Sequence, residues 1–137
     1  MKRFFLVTVT IAVATFLSCT HASNEGNKKA AIIAFADTEH DFGTIEQNSV
    51  AEYAFVFRNT GKEPLVIDNV HTSCGCTVPE WTRDPVKKNR SGVIKIHYNT
   101  HVVTSFNKTI TVYSNAANSP VTLTIKGTVV PKTEGKK

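Results

Sequence analysis

Four stretches of this chain repeat with a period of two, and that pattern restricts what they can fold into. Ala51, Tyr53, Phe55 and Phe57 share one parity, with Glu52, Ala54, Val56 and Arg58 on the other. Ile94, Ile96 and Tyr98 alternate with Lys95 and His97. Phe106, Lys108, Ile110, Val112 and Ser114 alternate with Asn107, Thr109, Thr111 and Tyr113, and Val121, Leu123, Ile125, Gly127 and Val129 with Thr122, Thr124, Lys126 and Thr128. Successive side chains of a strand point to opposite faces, so each run presents one face to a core and one to water. Threonine and β-branched residues suit such a pleated, half-wet surface. Shorter strands are predicted at Ile33 to Ala36, Asp41 to Thr44 and Leu65 to Val70. Turn signals punctuate the runs at Asn59-Thr60-Gly61 with Pro64, at Arg90-Ser91-Gly92, and at Asn115 to Pro120. About seven short strands at this spacing predict an all-β, immunoglobulin-like antiparallel β-sandwich. The tryptophan and cysteine spacing of antibody domains is absent, so no disulfide between sheets is implied.

The first residues read as an export signal, spanning 1–19. Lys2 and Arg3 precede an apolar run from Phe4 to Leu17, which is short of the roughly 20 apolar residues a membrane span needs. The run closes on Phe16-Leu17-Ser18-Cys19, which resembles a bacterial lipobox with phenylalanine where leucine is preferred. Cys19 is therefore the expected lipidation site, and two or more acyl chains there give stable membrane attachment without a spanning helix. Residues 20–32 follow as a polar, flexible tether, residues 33–130 form the sandwich domain, and residues 131–137 form a basic tail.

Removing Lys2 and Arg3 lowers the net charge from +5 to +3. Between Phe35 and Val130 nine basic residues balance nine acidic ones, so the excess charge lies in the ends. A neutral domain lacks the basic face expected of a nucleic-acid binder, and no nucleic-acid partner is expected.

With Cys19 assigned to the anchor, Cys74 and Cys76 remain, in Ser73-Cys74-Gly75-Cys76-Thr77. Three readings stay open. A disulfide would close a loop of three residues, worth about 1.6 kcal/mol of chain entropy. In an extended strand, residues two apart sit near the upper limit of the Cα separation a disulfide accepts, although Gly75 permits a tighter turn. Such a bond adds little stability and is readily reduced, the profile of a redox pair. Alternatively, two soft thiolates suit Cu(I), with His71 as the nearest further ligand and His97 and His101 reachable only through the fold. Zinc would need four ligands, and Met1, the sole methionine, leaves with the signal. The third reading packs the cysteines as small hydrophobes at a sheet edge, with Gly75 forming a bulge.

The stretch after this motif, Val78 to Arg90, is the least regular part of the domain. Its Trp81, the sole tryptophan, either caps the core or anchors a partner, with capping the preferred reading. His40, His71, His97 and His101 have no catalytic spacing. There is no HExxH, GxSxG, phosphate loop or dinucleotide fingerprint, so no catalytic residue is assigned and an enzyme is not expected.

Asp41-Phe42-Gly43-Thr44-Ile45, Phe55-Val56-Phe57-Arg58-Asn59-Thr60-Gly61, Pro64-Leu65-Val66-Ile67, the Ser73 to Thr77 run and Trp81 together resemble an exported bacterial family, domain of unknown function 1573. That family is common among Bacteroides-type bacteria, and SCGCT is its hallmark. The Asn-Thr-Gly…Pro-Leu portion is also similar to Hydin and PapD-like Ig-fold domains, which implies a role in protein interaction. The expectation is a non-enzymatic, lipid-anchored Ig-like module that binds or positions another envelope protein. It would need no cofactor and would face the periplasm, more readily from the outer membrane. The alternative is a periplasmic thiol-redox or Cu(I) protein acting through Cys74 and Cys76.

Overall fold

A computed structural model describes residues 30–133. The signal peptide, Cys19, most of the tether and the end of the basic tail lie outside the described residues. Eight strands follow in order: β1 (Ile33–Phe35), β2 (Glu39–Glu46), β3 (Ala51–Asn59), β4 (Ile67–Thr72), β5 (Thr77–Trp81), β6 (Ser91–Tyr98), β7 (Ser105–Ser114) and β8 (Val121–Val130). They form two four-stranded sheets, β1-β3-β6-β5 and β2-β8-β7-β4. The all-β sandwich read from the sequence is therefore the fold, with three corrections of detail.

The strand count rises to eight because Thr77–Trp81, which reaches into the stretch read as irregular from Val78, pairs antiparallel with β6. Pro79 hides that strand from a pattern reading. It is tolerated because β5 is an edge, where a missing N–H breaks no ladder on the open side. The second correction concerns direction. β2 runs parallel to β8, from Glu39 opposite Thr124 to Glu46 opposite Val130, so one sheet is mixed rather than antiparallel. Its register slips between Asp41 and Thr44, where Gly43 takes a φ of 64° that glycine accepts readily. The strand read at Leu65 to Val70 also moves: Leu65 bridges Val86, and β4 starts at Ile67.

Both sheets direct the predicted parity inward. Phe55 and Phe57 of β3, Ile94 and Ile96 of β6, Ile110 and Val112 of β7, and Leu123 and Ile125 of β8 are fully enclosed between the sheets. Tyr98 stacks on Phe106 at 3.7 Å between ring centroids, joining the two sheets. The chain enters the domain beside the β3–β4 connection, where the Ala30 carbonyl accepts from the Lys62 N–H and the Ile32 carbonyl from the Thr60 N–H.

Candidate functional site

β4 belongs to one sheet and β5 to the other, so the Ser73–Cys76 segment between them is a turn that crosses the sandwich. Cys74 and Cys76 are joined there by a disulfide with a Cα separation of 5.4 Å. The turn, closed by the Thr77 N–H donating to the Cys74 carbonyl at 3.4 Å, brings the two residues closer than an extended strand would. Gly75 is therefore part of a tight turn and forms no strand bulge. Among the described glycines only Gly43 has a positive φ, and a methyl group on Gly75 would meet nothing within 4 Å.

The turn is fastened to both sheets by bonds that do not involve sulfur. Ser73 exchanges two hydrogen bonds with Thr109 of β7: its N–H donates to the Thr109 carbonyl at 3.0 Å, and its Oγ accepts from the Thr109 N–H at 3.2 Å. The Thr72 hydroxyl donates to the Cys74 and Thr77 carbonyls. The Asn99 N–H donates to the Cys76 carbonyl at 2.8 Å. With these clamps in place the disulfide adds only about 1.6 kcal/mol. The double variant Cys74→Ser/Cys76→Ser is accordingly expected to fold and to lose no more than roughly 10 °C in a thermal melt. A larger loss, measured by circular dichroism, would show that the bond holds the turn.

The two cysteines are not equivalent. The Cys76 side chain packs against the core cluster. Cys74 Sγ lies 3.8 Å from the hydroxyl of Thr77, a residue only 3% exposed. Ala51, Tyr98 and Thr77 form one rung across β3, β6 and β5. The next step outward brings Val50, Asn99 and Cys76 together at this end of the sandwich. Here the β2–β3 and β6–β7 connections interlock. The Thr100 hydroxyl donates to the Ser49 carbonyl at 2.6 Å, Gln47 Nε2 donates to the His101 carbonyl at 2.7 Å, and His101 Nδ1 meets Asn48 Oδ1 at 2.6 Å. These loops expose Val50, Val102 and Val103 at 81%, 66% and 46%. Sequence reading did not single them out, because isolated valines in loops carry no periodic signal.

Burial raises the Tyr98 hydroxyl above its usual pKa of 10.0. A raised folded value makes this group's contribution to stability complete below pH 10 and progressively lost as pH rises further, because only the unfolded chain then releases the proton readily. Tyr98→Phe should therefore flatten the fall in melting temperature above pH 10, measured against the unsubstituted chain.

The other sequence-predicted residues are dispersed. His71 sits exposed on β4. His97 lies on the outer face of β6, with Nδ1 2.9 Å from Glu52, whose carboxyl Lys95 also holds at 2.9 Å. The Lys95 hydrogen bond, opposed by partial desolvation and aided by the charges of His97 and Lys95, holds Glu52 below the usual carboxylate range. Among the described residues, no group of three or more His, Cys, Asp or Glu side chains is gathered as a metal site. Trp81 is partly buried on β5, packs on the core, and carries the Arg83 guanidinium 3.7 Å above its ring. An open concavity of about 460 Å³ lies over β2, β7 and β8, lined by Asp41, Gly43, Phe106, Asn107 and Lys126 among others.

Comparison with known proteins places this geometry. No curated protein matches the chain. A protein of unknown function from Porphyromonas gingivalis W83 superposes with a TM-score of 0.66 at 19% identity, over 74% of this chain and 48% of that one, so the chain spans about half its length. The ASH / PapD-like domain of human CEP192 superposes with a TM-score of 0.59 at 8% identity, over 95% and 99% of the two chains. The VesB protease of Vibrio cholerae does so with a TM-score of 0.57 at 10% identity, over 71% of this chain and 31% of that one. At these identities the likeness is one of fold. A family profile, by contrast, matches residues 33–129, which covers β1, the cysteine turn and almost all of β8, and the chain belongs to that family, described as Protein of unknown function (DUF1573).

Proposed function

We propose that this chain is a cell-envelope lipoprotein, anchored through Cys19 and facing the periplasm from the outer membrane, whose Ig-like domain binds or positions another envelope component. The observation that carries this reading is the exposed trio Val50, Val102 and Val103 on interlocked loops. β3 separates those loops from the point where the chain enters the domain; nine residues at about 3.3 Å each make that separation about 30 Å. A tether leaving from the entry end would turn the apolar loops away from the membrane. The likeness to a PapD-like domain agrees with a binding role.

The test is a photo-crosslinker placed in cells at position 102 and, separately, at position 88 on the opposite connection. A discrete adduct at 102 and none at 88 is expected. Equal labelling at both positions, or none at either, overturns the docking end. Incorporation of labelled fatty acid that Cys19→Ser abolishes is expected for the anchor, and incorporation that survives the substitution rejects it.

A second reading makes the turn a thiol-redox centre, favoured by the half-buried three-residue disulfide between Cys74 and Cys76. Cu(I) belongs to the same reading in its reduced form only, since a sulfur shared in a disulfide is not a thiolate. Thiol titration with and without reductant, followed by Cu(I) addition, should give two thiols after reduction and one Cu(I) per reduced chain. Thiols that stay inaccessible, with no copper bound, reject this reading.

A further inference from the structure

We infer that the Cys74–Cys76 disulfide is a disulfide donor of fixed polarity: Cys74 is the exchanging sulfur, and the substrate is a cysteine pair in another exported polypeptide. The inference rests on the redox reading above and adds to it the direction of attack, a positioning residue and a substrate class.

Three observations set the polarity. The Cys76 side chain packs on the core, which hinders approach to its sulfur from that side, and its backbone is held by the Asn99 N–H. Cys74 is equally half-buried but is not packed against the core cluster. The hydroxyl of Thr77 lies against Cys74 Sγ at 3.8 Å, and Thr77 is fixed in position by its pairing with Tyr98. That hydroxyl can donate to a thiolate on Cys74. A better-stabilised leaving thiolate departs faster, and a stabilised thiolate also makes the oxidised pair a stronger oxidant.

The chemistry balances over one turnover. A substrate thiolate attacks Cys74 Sγ; the substrate–Cys74 bond forms, the Cys74–Cys76 bond breaks, and the electron pair leaves on Cys76 Sγ, which takes up a proton. The second substrate thiolate then attacks the substrate sulfur of the mixed disulfide. The substrate disulfide forms, and Cys74 leaves as a thiolate under the Thr77 hydroxyl before it too is protonated. Two electrons pass from the substrate to the pair, and the two protons given up by the substrate thiols are matched on Cys74 and Cys76. The turn stays in place because Ser73, Thr72 and Asn99 hold it without sulfur.

The substrate class follows from what flanks the pair. By strand register Val50 lies in the same rung as Cys76, across Asn99 and two strand spacings (about 10 Å) away, and Val102 and Val103 are exposed on the connection that follows Asn99. Such a rim favours a polypeptide carrying apolar residues beside its cysteines over a small polar dithiol.

The experiment uses the full chain, purified in detergent in its oxidised form. Equilibration in glutathione buffers, read by thiol alkylation, should give reversible reduction with the fold retained. A pair that stays oxidised in the most reducing mixture, or that is reduced only on unfolding, removes the redox reading and this inference together. With a reduced cysteine-pair peptide, the unsubstituted chain should oxidise one peptide per chain in a single burst, and Cys74→Ser/Cys76→Ser none.

Polarity is tested separately. The lone thiol of Cys76→Ser should react with an aromatic disulfide probe about tenfold faster than that of Cys74→Ser, roughly the value of one charge-assisted hydrogen bond. Equal rates, with reversible reduction intact, overturn the polarity and leave the redox reading standing. Thr77→Val should raise the pH midpoint of Cys74 ionisation and Thr77→Ser should restore it; a midpoint unmoved by Thr77→Val removes Thr77 from the scheme. Val50→Asp/Val102→Asp should slow oxidation of the peptide but not of dithiothreitol. Slowing of neither, or of both equally, overturns the polypeptide substrate class.

Discussion

Asn59→Ala is expected to lower the melting temperature by roughly 15 °C, a cost of about 3 kcal/mol against a total stability of about 5–15 kcal/mol. Asn59 is entirely enclosed, and every polar atom of its side chain is engaged. Its Oδ1 accepts from the Gly61 N–H at 2.9 Å and the Ile32 N–H at 3.3 Å. Its Nδ2 donates to the Glu63 carbonyl at 2.7 Å and the Val86 carbonyl at 2.9 Å. One side chain thus ties together the approach to β1, the β3–β4 connection and the β5–β6 connection. Val86 keeps a second donor, the Leu65 N–H, but the buried Gly61 N–H has no replacement close at hand. Asn59→Asp should cost more than alanine at neutral pH, because a carboxylate oxygen would then face the Glu63 and Val86 carbonyls. That environment raises the carboxyl's folded pKa, so the deficit of Asn59→Asp should shrink as pH falls toward the carboxyl range and grow as pH rises. Equal melting of all three proteins at pH 7 would remove Asn59 as a hub.

Asn59 also shows what the sequence makes legible and what it leaves out. Asn59-Thr60-Gly61 reads as a turn, and it is one, but no local pattern tells that the asparagine points inward to bind three segments, two of them 27 residues away on either side. The long strands are legible because the faces of β3, β6, β7 and β8 differ in polarity, and the period of two follows from the pleat. β5 is not, because Pro79 interrupts the expected composition and only an edge position makes it acceptable. The parallel pairing of β2 with β8 has no local signal, since the partner of a strand is a property of the whole sheet. At the candidate site, spacing alone left bonded, metal-bound and packed sulfurs open. The turn decides between geometries the sequence could not separate, by shortening the Cα separation to 5.4 Å. The inequality of the two sulfurs was out of reach, because it depends on the core on one side and the Thr77 hydroxyl on the other.

Gly61→Ala is expected to cost about 3 kcal/mol, from overpacking that the surrounding backbone cannot relieve. The requirement at this glycine is close approach, not a special φ. A Cβ there would enter the van der Waals shell of the Ala30 carbonyl oxygen and lie 2.7 Å from the Ala31 carbonyl carbon, both main-chain atoms. The strain falls on the strand with the least pairing of its own, the three-residue β1, which depends on Asn59, on Thr60 and on Asn118, whose side chain bonds both polar backbone groups of Ile33. Displacing β1 also releases Ala31 and Ile33 from the core. Hydrogen exchange should therefore speed at the Ile33, Thr60 and Lys62 amides well before it speeds at Ser73 or Asn99, whose clamps lie at the opposite end of β3. In glutathione buffers where Gly61→Ala remains folded, its cysteine pair should titrate as in the unsubstituted chain. An altered titration would mean that the entry end and the cysteine turn are mechanically coupled through the sandwich; an unaltered one separates the part of the molecule that holds the fold together from the part assigned to exchange.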